Sequence, residues 1–246
     1  MDEGKTYHST TNIAFVFNEG IIAAADGRAT KKATPDKPAK IVTNSVRKIQ
    51  YFRHFLGGLA GDGACCTRCQ RLLRETSDKA PNDQNIPIRS VAEAVGNSFQ
   101  GRTPDRFAQC LISGFEGGAG KIYHVGHNGV FSSSTTIKGL GTGKTHAFEI
   151  LKEDYRKKLT VTEAIALARK AITWACINDW QTGGEIIVFY LNKNGEMHKE
   201  TYETEMSFDL EEAQKARNDL RERFKEGEFE IPNLVPYVRY VESDDD

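Results

Sequence analysis

Thr11-Asn12-Ile13-Ala14-Phe15-Val16-Phe17, then Asn18-Glu19-Gly20, then Ile21-Ile22-Ala23-Ala24-Ala25-Asp26 is the stretch on which the fold turns. β-Branched and aromatic residues on either side of a turn signal predict two strands, 11–17 and 21–25, closed into a hairpin. Arg28 to Asn44 is polar, holds Pro35 and Pro38 and has no period, so it reads as a loop. Val46 to Phe52 and Phe55 to Leu59 then read as a second strand pair. Two helical stretches follow, near Ala64 to Arg74 and Ile88 to Phe99, and then strands near Phe107 to Phe115 and Lys121 to Val125. A helix is expected from Gly143 to about Tyr155. Another runs from Val161 to Ile177, with Ala164, Leu167, Ala168, Ala171, Ile172 and Ala175 on one face, and strands Glu185 to Leu191 and Met197 to Tyr202 close the series. Paired strands, two helices, strands, two helices and strands favour an α+β protein with helices layered on antiparallel sheets over a βαβ repeat.

The 246 residues carry 33 Lys+Arg against 34 Asp+Glu, so no global charge draws the chain to nucleic acid or an anionic membrane. With 39% apolar residues a chain of this length still buries one sizeable core. Apolar runs such as Ile21 to Ala25 and Ile186 to Tyr190 fall far short of the roughly 20 residues of a spanning helix. Five cysteines, an odd number, suit reduced thiols in the cytoplasm or nucleus better than a disulfide framework. Charge is uneven along the chain. Glu205 to Asp246 has 13 acidic against 6 basic residues, net −7, leaving 27 basic against 21 acidic, net +6, before it. Ala213, Ala216, Leu220 and Phe224 recur at helical spacing between Phe208 and Phe224, with Glu211/Lys215 and Asp219/Arg223 as i,i+4 pairs, so an amphipathic helix ending at Gly227 is expected. Ile231 to Tyr237 reads as an extended arm before the acidic end Glu242 to Asp246, either a loose terminus or an arm for a neighbouring chain.

Three patterns invite chemistry and carry little of it. Gly139-Leu140-Gly141-Thr142-Gly143-Lys144-Thr145 ends like a phosphate loop, but Lys138 stands where the first glycine belongs, so a tight turn starting a helix is the better reading. Cys65, Cys66 and Cys69 share one helical face without a suitably spaced fourth ligand and read as buried thiols. The six histidines are scattered and anchor no triad. No metal or cofactor is implied.

The informative segments are His8-Ser9-Thr10-Thr11-Asn12, Ala25-Asp26-Gly27-Arg28-Ala29-Thr30, Val46-Arg47-Lys48-Ile49, Leu56-Gly57-Gly58-Leu59-Ala60-Gly61, Gly139 to Gly143, and Asn178-Asp179-Trp180-Gln181-Thr182-Gly183-Gly184. In order and spacing, from Thr10 to Tyr202, they resemble the β-type subunits of the proteasome, a self-compartmentalising threonine protease, apart from one longer loop before Lys48. The resemblance implies a four-layer αββα sandwich of the N-terminal nucleophile hydrolase type. It implies a catalytic domain over 10–204 preceded by residues 1–9, a propeptide removed autocatalytically or an N-terminal extension; the acidic helix and arm over 205–246, marked by composition, are added to the family pattern. A threonine hydroxyl needs a base, and a free α-amine titrating near 8 beside its own Oγ supplies one. Thr10 is thus the implied nucleophile, Lys48 the cation that eases loss of its proton, and Asp26 the partner that orients Lys48. Thr142, Asp179 and Thr182 match the supporting hydrogen-bond group, and the Gly61 amide matches the oxyanion donor.

The sequence departs from the family at Ser9, where active subunits carry glycine, and at Thr142 and Thr182, where the family has serine. The hydroxyls remain, with an added methyl and a stiffer χ1. By the same alignment Ala29, Val46, Gln50, Leu59 and Gly63 line the substrate pocket. No charge is expected there, which favours cleavage after hydrophobic residues. The expectation is an endopeptidase subunit acting on unfolded polypeptides and stacked in rings with like subunits, in cytoplasm or nucleus. The rivals are a silent structural subunit of the same ring and, further off, a nucleotide-binding protein.

Overall fold

The computed structural model describes residues 7–8, 10–31, 33, 35–79, 86–100, 108–204 and 209–226. Along Thr11–Phe17 successive side chains take opposite faces, as the two-residue period of a strand requires. Ile13, Phe15 and Phe17 enter one apolar core, and Ala14 enters another. The next strand, Gly20–Asp26, is buried at every position, with Ile22 and Ala24 in the first core and Ala23 and Ala25 in the second. A hairpin sealed on both faces has to lie in the middle of the molecule.

In chain order the strands are β1 (Tyr7–His8), β2 (Thr11–Phe17), β3 (Gly20–Asp26), β4 (Ala29–Lys31), β5 (Lys40–Thr43), β6 (Ile49–Phe52) and β7 (Phe55–Asp62). After α1 (Gly63–Asp78) and α2 (Ile88–Phe99) come β8 (Ala108–Glu116), β9 (Ala119–Val125), β10 (Phe131–Ser134) and β11 (Ile137–Gly141). Then α3 (Lys144–Asp154), α4 (Val161–Asn178), β12 (Ile186–Leu191), β13 (Met197–Tyr202) and α5 (Leu210–Lys225) complete the described chain. One sheet has the order β11-β2-β3-β12-β13. The other runs β10-β9-β8-β7-β1-β4-β5 with β6 also paired to β7, and all ladders are antiparallel.

Helices α1 and α2 cover the larger sheet through Leu73, Val91, Val95 and Phe99 against Cys110, Ile112 and Tyr123. Helices α3 and α4 cover the smaller one, the apolar face of α4 being the one the sequence marks. Between the sheets lie Ala14, Ala23, Leu56, Leu111, Ile122 and Phe189. Two antiparallel sheets between two helix layers is an α+β, four-layer αββα sandwich. Helix α4 starts on a capping box, Thr160 with Glu163, which satisfies two otherwise orphaned amides. Helix α5 lies outside α4, where the rings of Trp174 and Phe224 are 5.0 Å apart. Among the described residues no helix is long and apolar enough to cross a membrane.

Several boundaries move. The stretch Arg28 to Asn44 is more than a loop, since β4 and β5 pair within it; its buried apolar residues among those described, Ala29 and Ile41, are too few for a periodic signal. Strand β10 is polar but for Phe131 and is recognisable only by its pairing with β9. Val46 to Lys48 is not strand, because the Val46 amide turns to the Gly27 carbonyl instead of a ladder partner. Helix α1 runs on to Asp78. Phe107, Phe208, Gly227, the arm from Ile231 and the acidic end lie outside the described residues, as do residues 1–6 and 9 of the expected leader.

Candidate active site

Strand β3 ends on Asp26, a carboxylate 1% exposed that would be costly to bury without donors. It has four. Oδ1 accepts from the Thr11 amide at 2.8 Å and from Lys48 Nζ at 2.8 Å, and Oδ2 accepts from the amides of Arg28 and Gly183, each at 3.1 Å. Asp26 therefore fastens the start of β2, the residue before β6 and the loop before β12 to one point. Burial pulls the pKa of Lys48 below its ordinary 10.5, with Asp26 opposing.

The loop before β12 is held from below by Arg28, whose side chain is fully buried. Its Nε donates to Asn44 Oδ1 at 2.9 Å and its Nη1 to the Trp180 carbonyl at 3.2 Å. The guanidinium lies so close over Gly183 that a Cβ there would fall 2.5 Å from its central carbon. The same loop presents Asp179, the cap residue after α4. Asp179 Oδ2 accepts from Thr142 Oγ1 at 2.5 Å and from Thr182 Oγ1 at 2.7 Å, and Thr182 Oγ1 is 2.9 Å from Thr11 Oγ1. The three residues expected to support one another thus converge, with Thr11 as a fourth member that sequence reading missed. Strand alternation was the available signal: Thr11 shares the face of Ile13 and Phe15, toward α4.

Thr10 is fully buried immediately before β2, and its carbonyl oxygen occupies the place a Cβ on Gly141 would take, at 1.5 Å. The glycines of 139–143 are thereby explained. Gly141 has φ +97°, and a Cβ on Gly143 would lie 2.3 Å from Thr11 Oγ1. They close against β2 and form no open cradle for a phosphate, which removes the nucleotide reading.

The larger sheet reaches the chain two residues before Thr10, at His8. Strand β1 lies between β4 and β7, with Tyr7 opposite Thr30 and Asp62 and His8 opposite Gly61. Beside it is a cavity of about 240 Å³ walled by Val46, Arg47, Lys48, Gln50, Leu59, Cys66, Thr67 and Gln70. Of the residues expected to line a substrate pocket, Val46, Gln50 and Leu59 border this cavity and Ala29 and Gly63 do not. The expectation of an uncharged pocket is corrected. Arg47 and Lys48 both border it, because the chain from Val46 to Lys48 runs along the cavity as irregular backbone. Lys48 is neutralised by Asp26, whereas Arg47 is exposed.

All five cysteines are buried free thiols, and burial pushes the thiol pKa of Cys66, Cys110 and Cys176 up. Among the described residues no group of three His, Cys, Asp or Glu side chains is placed to hold a metal.

An αββα sandwich holding a buried Asp26–Lys48 pair and a hydroxyl–carboxylate cluster, joined by Thr11, is the setting in which comparison with known proteins is read. Residues 6–191 match the family model described as proteasome subunit, and the chain belongs to that family, among its β-type members. It is 31% identical over 204 residues to the proteasome subunit beta of Methanococcus aeolicus, covering 79% of this chain and 89% of that protein. It is 30% identical over 192 residues to proteasome subunit beta type-8 of Canis lupus familiaris, covering 76% of this chain and 67% of that one. Against proteasome subunit beta type-5 of Gallus gallus the figures are 28% over 196 residues, 76% and 72%.

Proposed function

We propose that the chain is a threonine-type endopeptidase subunit of a proteasome-like ring, active once residues 1–9 have been removed. The observation that carries this reading is a buried Asp26–Lys48 ion pair and an Asp179 carboxylate bonded to Thr142 and Thr182, joined through Thr11, the residue next to buried Thr10. In this mechanism the free α-amine of Thr10 takes the proton of its own Oγ1, the oxygen attacks a peptide carbonyl, and the Gly61 amide bonds the developing oxyanion. Removing such a donor typically costs about 3 to 4 kcal/mol in the transition state. Lys48, as an ammonium held by Asp26, favours the alkoxide. The tetrahedral intermediate collapses as its C–N bond breaks and the Thr10 ammonium returns its proton to the leaving amine, and water, giving a proton to the same amine, then hydrolyses the ester and frees Thr10 Oγ1.

Substrate enters as an extended strand between β4 and β7, the place now filled by Tyr7–His8, so that main-chain bonds hold it in register. Val46 and Leu59 favour an apolar side chain in the cavity, and Arg47 adds one cationic border. The segments are a removable leader over 1–9, a catalytic domain over 10–204 and a separate acidic tail, working with other subunits in stacked rings in cytoplasm or nucleus. The pairing of β1 also favours a second reading. A chain that keeps residues 1–9 holds the Thr10 nitrogen in a peptide bond and the groove closed, and serves as a structural wall. The test is hydrolysis of a fluorogenic peptide by assembled particles carrying this chain. Thr10→Ala and Lys48→Ala are expected to abolish it without unfolding the chain, and retained hydrolysis in either would refute the endopeptidase reading.

A further inference from the structure

The proton count in the hydroxyl cluster fixes a direction that distances alone leave open. A threonine hydroxyl has one proton and can donate once. Thr182 gives its proton to Asp179 Oδ2, at 2.7 Å. It can therefore only accept in its 2.9 Å contact with Thr11, and Thr11 must be the donor. The result is a one-way chain, Thr11 to Thr182 to Asp179, ending on a carboxylate oxygen that Thr142 also reaches.

Thr11 is fully buried and held from its other side as well, its amide donating to Asp26 Oδ1, the same oxygen that receives Lys48 Nζ. The Gly143 backbone leaves no room for Thr11 Oγ1 to move, since even a methyl there would fall 2.3 Å from it. One residue thus joins the Asp26–Lys48 pair to the Asp179 cluster, with its backbone on the first and its side chain on the second. Residue 11 is also the one covalently attached to the Thr10 carbonyl, which is itself seated on Gly141.

We propose that Thr11 is a positioning residue for the Thr10 nucleophile: its donated hydroxyl bond locks the Thr10–Thr11 peptide and thereby aims Thr10 Oγ1 and the α-amine at the substrate carbonyl. The inference rests on the endopeptidase reading and adds to it a residue that touches neither substrate nor the reacting atoms. Thr11 makes no part of the groove, so its loss affects turnover and leaves substrate affinity alone.

The experiment uses assembled particles in which a cleavable leader ends directly before Thr10, so that exposure of the amine does not depend on self-cleavage. With a fluorogenic peptide, Thr11→Val is expected to lower kcat about tenfold, the effect of one lost buried hydrogen bond, with KM unchanged. Thr11→Ser, which restores the donor, recovers most of the loss. Thr182→Val breaks the same chain one link on, so the Thr11→Val/Thr182→Val double variant is no slower than Thr182→Val alone. Should Thr11→Val not assemble, Thr11→Ser against Thr11→Ala reads the same hydroxyl. Wild-type activity with an unaffected Thr11→Val, with equal losses in Val and Ser, or with additive losses in the double variant overturns the positioning role only. No hydrolysis by wild-type particles that begin at Thr10 overturns the endopeptidase reading and this inference with it.

Discussion

Asp26→Ala and Lys48→Met each remove half of one buried ion pair, yet the two losses are unequal. Without Lys48, the Asp26 carboxylate keeps three backbone donors, the amides of Thr11, Arg28 and Gly183. What disappears is one charge-assisted bond, and the expected cost is about 1.5 to 3 kcal/mol. Without Asp26, the Lys48 ammonium, 1% exposed, loses its carboxylate, and three amides lose their acceptor. Breaking a buried pair from that side costs about 3 to 5 kcal/mol. Shedding the proton does not help much: at pH 7.5 an amine of ordinary pKa 10.5 pays about 4 kcal/mol to become neutral. For a chain of this size about 2 to 4 °C of melting temperature goes with each kcal/mol. Calorimetry of particles carrying each variant should show Asp26→Ala melting further below wild type than Lys48→Met, while peptide hydrolysis is lost in both. A Lys48→Met chain that melts as low as Asp26→Ala would refute the argument, because the backbone donors would then do nothing for the carboxylate.

Other outcomes follow from the same geometry. Gly143→Ala places a methyl 2.3 Å from Thr11 Oγ1 and 2.8 Å from Thr182 Oγ1, so it should cost about 1 to 3 kcal/mol in a urea titration and reduce hydrolysis with it. Leu59→Arg puts a second cation on the cavity wall and should shift cleavage, in a panel of peptides differing at the residue before the scissile bond, from hydrophobic toward acidic side chains by roughly tenfold or more. Lys48 also sets opposite trends with pH. Its folded pKa lies below 10.5, so kcat should fall on the alkaline side before 10.5 as the ammonium is lost. Between the folded pKa and 10.5 the unfolded chain holds a proton that the folded chain does not, so the Lys48 contribution to stability rises with pH there. Melting curves from pH 8 upward should show the wild type gaining on Lys48→Met as pH rises, the buried thiols acting on both.

The middle of the molecule was legible because each of its elements is long and periodic. The β2–β3 hairpin, the apolar face of α4 and the alternation of strand pairs with helix pairs all follow from the spacing of apolar residues. The edges were not. Strands β4, β5 and β10 owe their existence to a neighbour's backbone, and a partner distant in sequence leaves no period in the strand itself. Asp26, Lys48, Asp179 and Thr182 could be picked out through resemblance, but their roles in the site could not be assigned by spacing. Arg28 and Asn44 went unread as structural residues because a buried guanidinium is visible only once Gly183 and the Trp180 carbonyl are seen around it. The misjudged pocket charge has a similar origin. The expected lining came from the aligned residues, which did not include Arg47, and its place on the cavity wall shows only once Val46 to Lys48 are seen outside the ladder.

The central claim is that Thr10 acts through its own free amine. Intact mass and N-terminal sequencing of this chain, taken from the assembled particle, address it most directly. The account predicts a chain that begins at Thr10. A chain that begins anywhere from Met1 to Ser9 would contradict it, leaving the nucleophile without its base and the groove filled by β1, as a structural subunit requires.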